Sequence, residues 1–244
     1  MFNIFVLSKF QLNKTDIHLS NCYQESKNNL IMTIDEYKRI RNVTTDLAYK
    51  ILYSKKDTRD EMIYAGKLLD FWDGQIMVFD NEDESDVLMD FLIYEKTTKG
   101  IKLIDSFYDS DIHIDDLEEE ILEGMINYHS SLFEIRTIDR ITCTLKLSDL
   151  FDRSHKEYKL IDLGFSQTGQ VGLVFYSRLI PIRGINMTSG VTFVFNGSLK
   201  NRILRDFSFQ RFKRKVNANS SDLFVFALKK SKQYGLSTKK MDTN

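Results

Sequence analysis

Glu157 and Lys159 lie two residues apart in the stretch EYKLI, whose alternation of charged and apolar side chains predicts a β-strand. Because side chains alternate across a strand, this pair shares one face. Metal-dependent nucleases combine an Asp on one strand with a Glu-x-Lys pair on the next, so that carboxylates hold Mg²⁺ or Mn²⁺ and the lysine helps to activate water. Asp149 or Asp152 would supply the Asp. A solvated strand face without catalysis explains the same pattern fully, and we favour that interpretation.

A glycine-rich stretch, GFSQTGQVG, follows this strand and places Gly164, Gly169 and Gly172 before the next apolar run. A kinase-type glycine loop has tighter spacing and requires a lysine on the following strand, where this chain offers only Arg178. No GK[ST] follows, so the stretch is not a P-loop. Glycines that permit a positive φ in a turn are sufficient, and we expect an ordinary hairpin here.

Other reactive side chains do not form a catalytic pattern. The histidines His18, His113, His129 and His155 lack paired metal-ligand spacing, and Cys22 and Cys143 form no CxxC motif. Ser189 lies in a predicted turn without a GxSxG elbow. The carboxylate run from residue 80 to 86 lacks the glycine and terminal glutamate of an EF-hand. We therefore expect no cofactor and favour a protein that is not an enzyme.

Charge is unevenly distributed, although the formal net charge is only -1. Residues 80–123 contain sixteen Asp and Glu against three Lys, whereas residues 200–240 contain twelve Lys and Arg against two Asp. Phenylalanines at 207, 209 and 212 are interleaved with the basic residues of one predicted helix. Such a surface suits phosphate contacts or an acidic protein surface, in the same chain or another copy. Its basic residues are Lys200, Arg202, Arg205, Arg211, Lys213, Arg214 and Lys215.

The hydrophobic periodicity predicts an α+β protein with one domain over residues 1–244. Its N-terminal third, about 1–75, is helical, and a capping pair at Thr33 and Glu36 begins one helix. A β-hairpin and an acidic helix follow over about 76–130, and an antiparallel β-meander or small barrel over about 131–196. The basic segment, about 197–244, contains a helix and the apolar run LFVFAL, which fits either a strand or a helix.

Several stretches resemble a module of uncharacterised bacterial proteins that in some cases lies beside a SEC-C zinc motif. They are DFLIYE, ILEGMINYHSSLFEI, LKLSDLF, VFYSRLIPI and MTSG, and the similarity spans about residues 79–195. The resemblance implies a bacterial chain with a helix-plus-meander unit and implies no activity. Because the chain has no Cys-rich SEC-C tail, a zinc role does not carry over.

These observations favour a non-enzymatic cytoplasmic binding protein, in which the basic, aromatic-containing helix contacts a partner. We expect a protein partner or self-association, with nucleic acid as the alternative ligand. Two cysteines in the whole chain do not form a disulfide framework. The first residues are too short an apolar run for a transmembrane span, so we expect no membrane association. A metal-dependent nuclease using Mg²⁺ or Mn²⁺ is the alternative function.

Overall fold

A β-barrel lies between helices that precede it and helices that follow it in the chain. The computed structural model describes residues 32–95, 100–152, 154, 156–214 and 220–236. The stretch Met32–Leu236 forms one compact unit, and residues 1–31 of the predicted N-terminal third lie outside the described residues. In the part of the chain that the structure describes, the helices before the barrel are α1 (Ile34–Ser54), α2 (Arg59–Leu69), α3 (Asp83–Tyr94), α4 (Leu103–Tyr108) and α5 (Asp116–Ile126).

Helix α1 begins as the sequence predicts. The Thr33 side chain accepts a hydrogen bond from the Glu36 amide, which satisfies one of the free N–H groups of the first turn. The buried side chains of α1 recur at helical spacing and face the core. Helix α5 has a complete capping box, in which Asp115 and Glu118 each accept from the other's backbone amide.

The β-hairpin predicted before the acidic helix is wrong, because Asp83–Tyr94 and Leu103–Tyr108 form helices α3 and α4. A short, continuous apolar run is compatible with either a buried strand or a buried helix, so periodicity does not distinguish them. The acidic first turn of α3, with Asp83, Glu84 and Asp86, suits the positive end of a helix dipole. Almost every side chain from Val87 to Tyr94 is buried, since α3 packs against several neighbouring elements.

Five strands form a closed barrel in the order β1-β2-β3-β5-β4. Four of the neighbouring pairs are antiparallel, including β1 with β4, whereas β3 and β5 run parallel. The predicted small barrel is therefore present, but its strand order is not that of a simple meander. The strands are β1 (His129–Asp139), β2 (Thr144–Asp149), β3 (Glu157–Ile161), β4 (Val174–Ile182) and β5 (Ile185–Phe195).

The glycine-rich stretch after β3 is not the hairpin expected from the sequence. It contains helix α6 (Leu163–Thr168), which Asp162 caps by accepting from the Phe165 amide. Strand β3 pairs with β2 and β5, so β3 and β4 are not neighbours in the barrel. The prediction failed because strand pairing is a long-range property. Gly172 does have the positive φ, +87°, expected of a turn glycine.

The barrel separates two apolar cores. One lies inside the barrel, where residues such as Phe133, Leu147 and Phe175 pack together. The larger one lies between the barrel's outer surface and the helices. Strand β4 has one face in each core, and therefore all its residues except Pro181 are buried.

Helices α7 (Lys200–Arg214) and α8 (Ser220–Tyr234) follow the barrel. The run LFVFAL lies in α8, which contacts β1 and β5. A short 3₁₀ turn at Gly197–Leu199, capped by Asn196, leads into α7. Within the described residues, no helix is both long and apolar enough to cross a bilayer.

Candidate functional site

The residues of the predicted nuclease site lie on opposite faces of the sheet. Asp149 is buried with Leu145 and Leu147 on the inner face of β2, whereas Glu157 and Lys159 point outward from β3. Glu157 Oε2 pairs instead with Lys146 Nζ at 3.4 Å. The required pairing of Asp149 with Glu157 is therefore not formed in this structure.

Asp152 also takes part in a local turn. Its carboxylate accepts hydrogen bonds from the amide and the hydroxyl of Ser154, both at 2.7 Å. Those bonds hold the pKa of Asp152 below its ordinary value. Among the described residues, no three His, Cys, Asp or Glu side chains form a group that could hold Mg²⁺ or Mn²⁺. His155 lies outside the described residues.

Asp149 forms a polar cluster at one end of the barrel. Its Oδ2 accepts from His129 Nε2 at 2.7 Å, and its Oδ1 accepts from Ser131 Oγ at 2.6 Å. The Phe151 amide also donates to Oδ1, at 2.8 Å. Burial raises the pKa of Asp149, but these hydrogen bonds outweigh burial and hold the pKa below its ordinary value.

The His129 ring is fixed on two sides. It stacks on the Tyr158 ring at 5.1 Å and meets the Phe133 ring edge to face at 5.9 Å. Asp149 and the aromatic rings therefore orient the histidine at the rim of the barrel. Sequence reasoning did not join His129 to Asp149, because the two residues meet only when β1 pairs with β2.

Arg178 is the largest fully buried side chain of the described residues, with 0% of its surface exposed. Its Nε donates to Asp90 Oδ1 at 2.7 Å, and its Nη2 lies 2.7 Å from Glu95 Oε1. Burial lowers the pKa of this guanidinium, but Tyr176 and the two carboxylates outweigh burial and raise it well above its ordinary value. Arg178 of β4 therefore forms ion pairs with Asp90 of α3 and with Glu95, which follows that helix.

Aromatic rings enclose the same guanidinium. Its central carbon lies 5.0 Å from the Tyr94 and Phe224 ring centres and 5.2 Å from that of Tyr128. Nη1 has no hydrogen-bond acceptor among the described residues, and the ring faces provide favourable electrostatics in its place. The sequence signal for this cluster is the arginine inside the apolar strand VFYSRLIPI.

The first half of the predicted basic helix, α7, is held by contacts with the rest of the protein. Lys200 Nζ binds Glu134 Oε2 on β1 at 2.7 Å. Arg202 lies over the Tyr234 ring of α8 at 4.8 Å. Asp206, the acidic residue of α7, accepts from Lys230 of α8 at 2.8 Å, and Lys230 holds its pKa below the ordinary value. These contacts attach the first half of α7 to the barrel and to α8.

The other side of α7 faces solvent. Arg205 has 77% of its side chain exposed and lies 3.9 Å from Asp206. Phe209 is 58% exposed and Phe212 is 83% exposed, whereas Ile203 and Phe207 are buried. Three further basic residues lie along the same helix, at Arg211, Lys213 and Arg214. Lys215 lies outside the described residues.

The acidic middle segment contacts α8 more closely than α7. Lys232 of α8 binds Glu84 Oε1 at 2.7 Å and lies 3.8 Å from Asp80. The basic and acidic segments therefore form ion pairs within the chain, and Lys232 of α8 makes these contacts. Exposed carboxylates remain on α5, at Asp116, Glu119 and Glu123.

Comparison with known proteins gives one match. The model of a family described as a family of unknown function, DUF7986, matches residues 31–241. No curated protein and no solved structure matches the chain. The comparisons show no association with a SEC-C motif.

Proposed function

The chain belongs to DUF7986, a family of unknown function, and we propose that it is a binding protein that contacts an anionic macromolecule through helix α7. The exposure of Phe212, at 83%, carries this proposal. A large exposed aromatic side chain gains free energy from the apolar area that is buried when a partner covers it. Its neighbours on the helix are basic, so the partner is expected to be anionic.

The first half of α7 supports the same proposal. Lys200, Arg202 and Asp206 attach the helix to β1 and α8, which holds the helix in place before any ligand arrives. A preorganised surface loses less conformational entropy on binding than a flexible one. Arg205 is held less tightly and stays largely exposed, so it is available to a ligand.

We place the protein in the cytoplasm and assign it no catalytic activity. Cys143 is buried and is a free thiol, which suits a reducing compartment. The polar cluster at Asp149 is held by hydrogen bonds within the barrel, and we assign it to positioning the barrel rim.

Fluorescence anisotropy with two labelled probes, an oligonucleotide and a polyglutamate peptide, tests the proposal. At least one probe should bind, and its affinity should fall steeply as salt rises from about 50 mM to about 200 mM. The variant R202E/R205E should weaken binding. The matched control R59E/K67E makes the same charge change on two exposed residues of α2 and should leave binding unchanged. Absence of binding to both probes at low salt contradicts the proposal.

Self-association is a second candidate, because the carboxylates of α5 provide an anionic surface. Asp116, Glu119 and Glu123 are exposed and form no ion pair with the described residues. A second copy could place this helix against α7. Light scattering at low and high salt tests the idea, and a monomer at every salt concentration excludes it.

A further inference from the structure

A row of basic side chains crosses three neighbouring strands on the outer face of the barrel. Lys146 of β2 and Lys159 of β3 are directly opposite each other in the strand register, and both point to solvent. On β1, Thr137 is opposite Lys146, and the exposed Arg136 precedes it. We name Arg136, Lys146 and Lys159 the basic row.

The basic row is not required by the packing of the barrel. Like charges directly opposite each other on paired strands are destabilising. Glu157 offsets part of this repulsion through its contact with Lys146, and Lys159 forms no ion pair with the described residues. The arrangement therefore favours an external anion, which would relieve the repulsion.

Glu134 joins the basic row to α7. Its Oε2 atom lies 2.7 Å from Lys200 Nζ of α7 and 3.1 Å from Arg136 Nη2 of the row. The basic surface of α7 and the basic row therefore meet at one shared carboxylate. Together they form a path of basic side chains from the helix across β1, β2 and β3, with Glu134 between Lys200 and Arg136.

We infer that the ligand of α7 is single-stranded nucleic acid, and that its phosphate backbone follows this path across the basic row. The inference rests on the proposed function and names its ligand class. Lysine is depleted in the centre of protein–protein interfaces, and the outward side chains beside the row are polar, at Thr144 and Ser148. Such a face suits phosphates better than an acidic protein surface.

Exposed aromatic side chains on α7 explain the preference for single strands. Unpaired bases stack on aromatic rings irrespective of sequence, whereas the bases of a duplex are already stacked on one another. Phe212 offers such a ring beside the basic residues of the helix. The path therefore combines phosphate contacts on the barrel with base stacking on α7.

The barrel architecture agrees with this assignment. OB-fold domains are five-stranded Greek-key barrels that bind oligonucleotides on the face of strands 2 and 3. In this protein the same two strands carry Lys146 and Lys159. The likeness is one of architecture alone, so the inference depends on the charges and the exposed ring.

Anisotropy with labelled oligo-dT and oligo-U, a duplex of equal length and polyglutamate tests the inference. The full chain should bind a single strand more tightly than the duplex. K146E/K159E, and the milder K146Q/K159Q, should lower that affinity at least about tenfold, while the α2 control R59E/K67E leaves it unchanged. Circular dichroism should show that each variant is folded.

The other outcomes distinguish failure of the inference from failure of the proposed function. If R202E/R205E abolishes oligonucleotide binding while both Lys146/Lys159 variants bind normally, the path across the barrel is wrong and the proposed function stands. If only polyglutamate binds, the ligand class is wrong and the proposed function again stands. If the duplex binds as tightly as the single strand, the preference for single strands is wrong. If no probe binds, both the inference and the proposed function fail.

Discussion

Arg178 and Asp90 lie 88 residues apart in the chain and form a buried ion pair, with Arg178 Nε 2.7 Å from Asp90 Oδ1. The pair joins strand β4 to helix α3, and Glu95 shares the same guanidinium. A buried charge must remain paired, because its isolated desolvation is very costly. Arg178 therefore adds a buried charged contact to the apolar packing between the barrel and the helices.

Arg178→Met should destabilise the protein by about 3–5 kcal/mol, because it leaves two buried carboxylates without their cation. Urea unfolding at neutral pH measures the change. Arg136→Met is the matched control on the barrel surface and should cost less than about 1 kcal/mol. Adding Asp90→Asn to Arg178→Met should recover part of the loss. An unchanged unfolding midpoint in Arg178→Met would contradict this role.

Asp149→Asn should lower stability by about 1–3 kcal/mol at neutral pH, because the ionised carboxylate accepts three hydrogen bonds in the fold. The folded-state pKa of Asp149 lies below its ordinary value. Its stabilisation is therefore present above the unfolded pKa, about 3.9, and is lost as pH falls through the folded pKa. The difference in unfolding free energy between the wild type and Asp149→Asn should shrink on acidification.

Denaturant titrations from neutral to strongly acidic pH measure this difference. Asp46→Asn, on the exposed side of α1, is the control and should change stability by less than about 0.5 kcal/mol. A constant difference between the wild type and Asp149→Asn at every pH would show that the ionisation of Asp149 does not contribute.

Gly124→Ala should destabilise the protein by about 1–3 kcal/mol. Helix α5 approaches β4 so closely at this residue that an added Cβ would lie 2.4 Å from the Pro181 carbonyl oxygen. Gly164→Ala is the control, since its Cβ would come no nearer than 3.4 Å to the Asp162 carboxylate. Thermal unfolding of both variants provides the test, and equal melting temperatures would show that α5 can move away from β4.

Phe207→Ala and Phe212→Ala should separate stability from binding on α7. Phe207 is buried against Phe151 and Phe226, so its loss should cost about 3–5 kcal/mol of stability. Phe212 is exposed, so its loss should change stability by less than about 0.5 kcal/mol and should weaken ligand binding. Unfolding and anisotropy measurements on the same preparations provide the comparison. Full binding by a folded Phe212→Ala protein would argue against the role of this ring.

Lys159→Ala should reduce the salt dependence of oligonucleotide binding. Each phosphate contact that is lost should make the slope of log K against log salt shallower by about 0.7 for a single strand. The control, Lys67→Ala, removes an exposed cation from α2, which packs against α3 and α8, and should leave the slope unchanged. Equal slopes for Lys159→Ala and the wild type would remove Lys159 from the path.

The local features of this protein are predictable from its sequence. Apolar spacing and the Thr33 cap predicted α1, the alternation within EYKLI predicted β3, and the composition of residues 200–214 predicted a basic helix. These features were readable because a helix or strand repeats every few residues, and because the caps act on adjacent amides.

The contacts between distant residues become visible only in the folded chain. Helices α3 and α4 replace the predicted hairpin, Asp149 and Glu157 lie on opposite faces of the sheet, and Asp90 contacts Arg178. Lys146 is opposite Lys159 in the strand register, and Glu134 links Arg136 of the same row to Lys200 of α7. The physical reason is that strand register and helix packing depend on contacts between remote segments. These contacts produce no periodic pattern in the sequence of either segment.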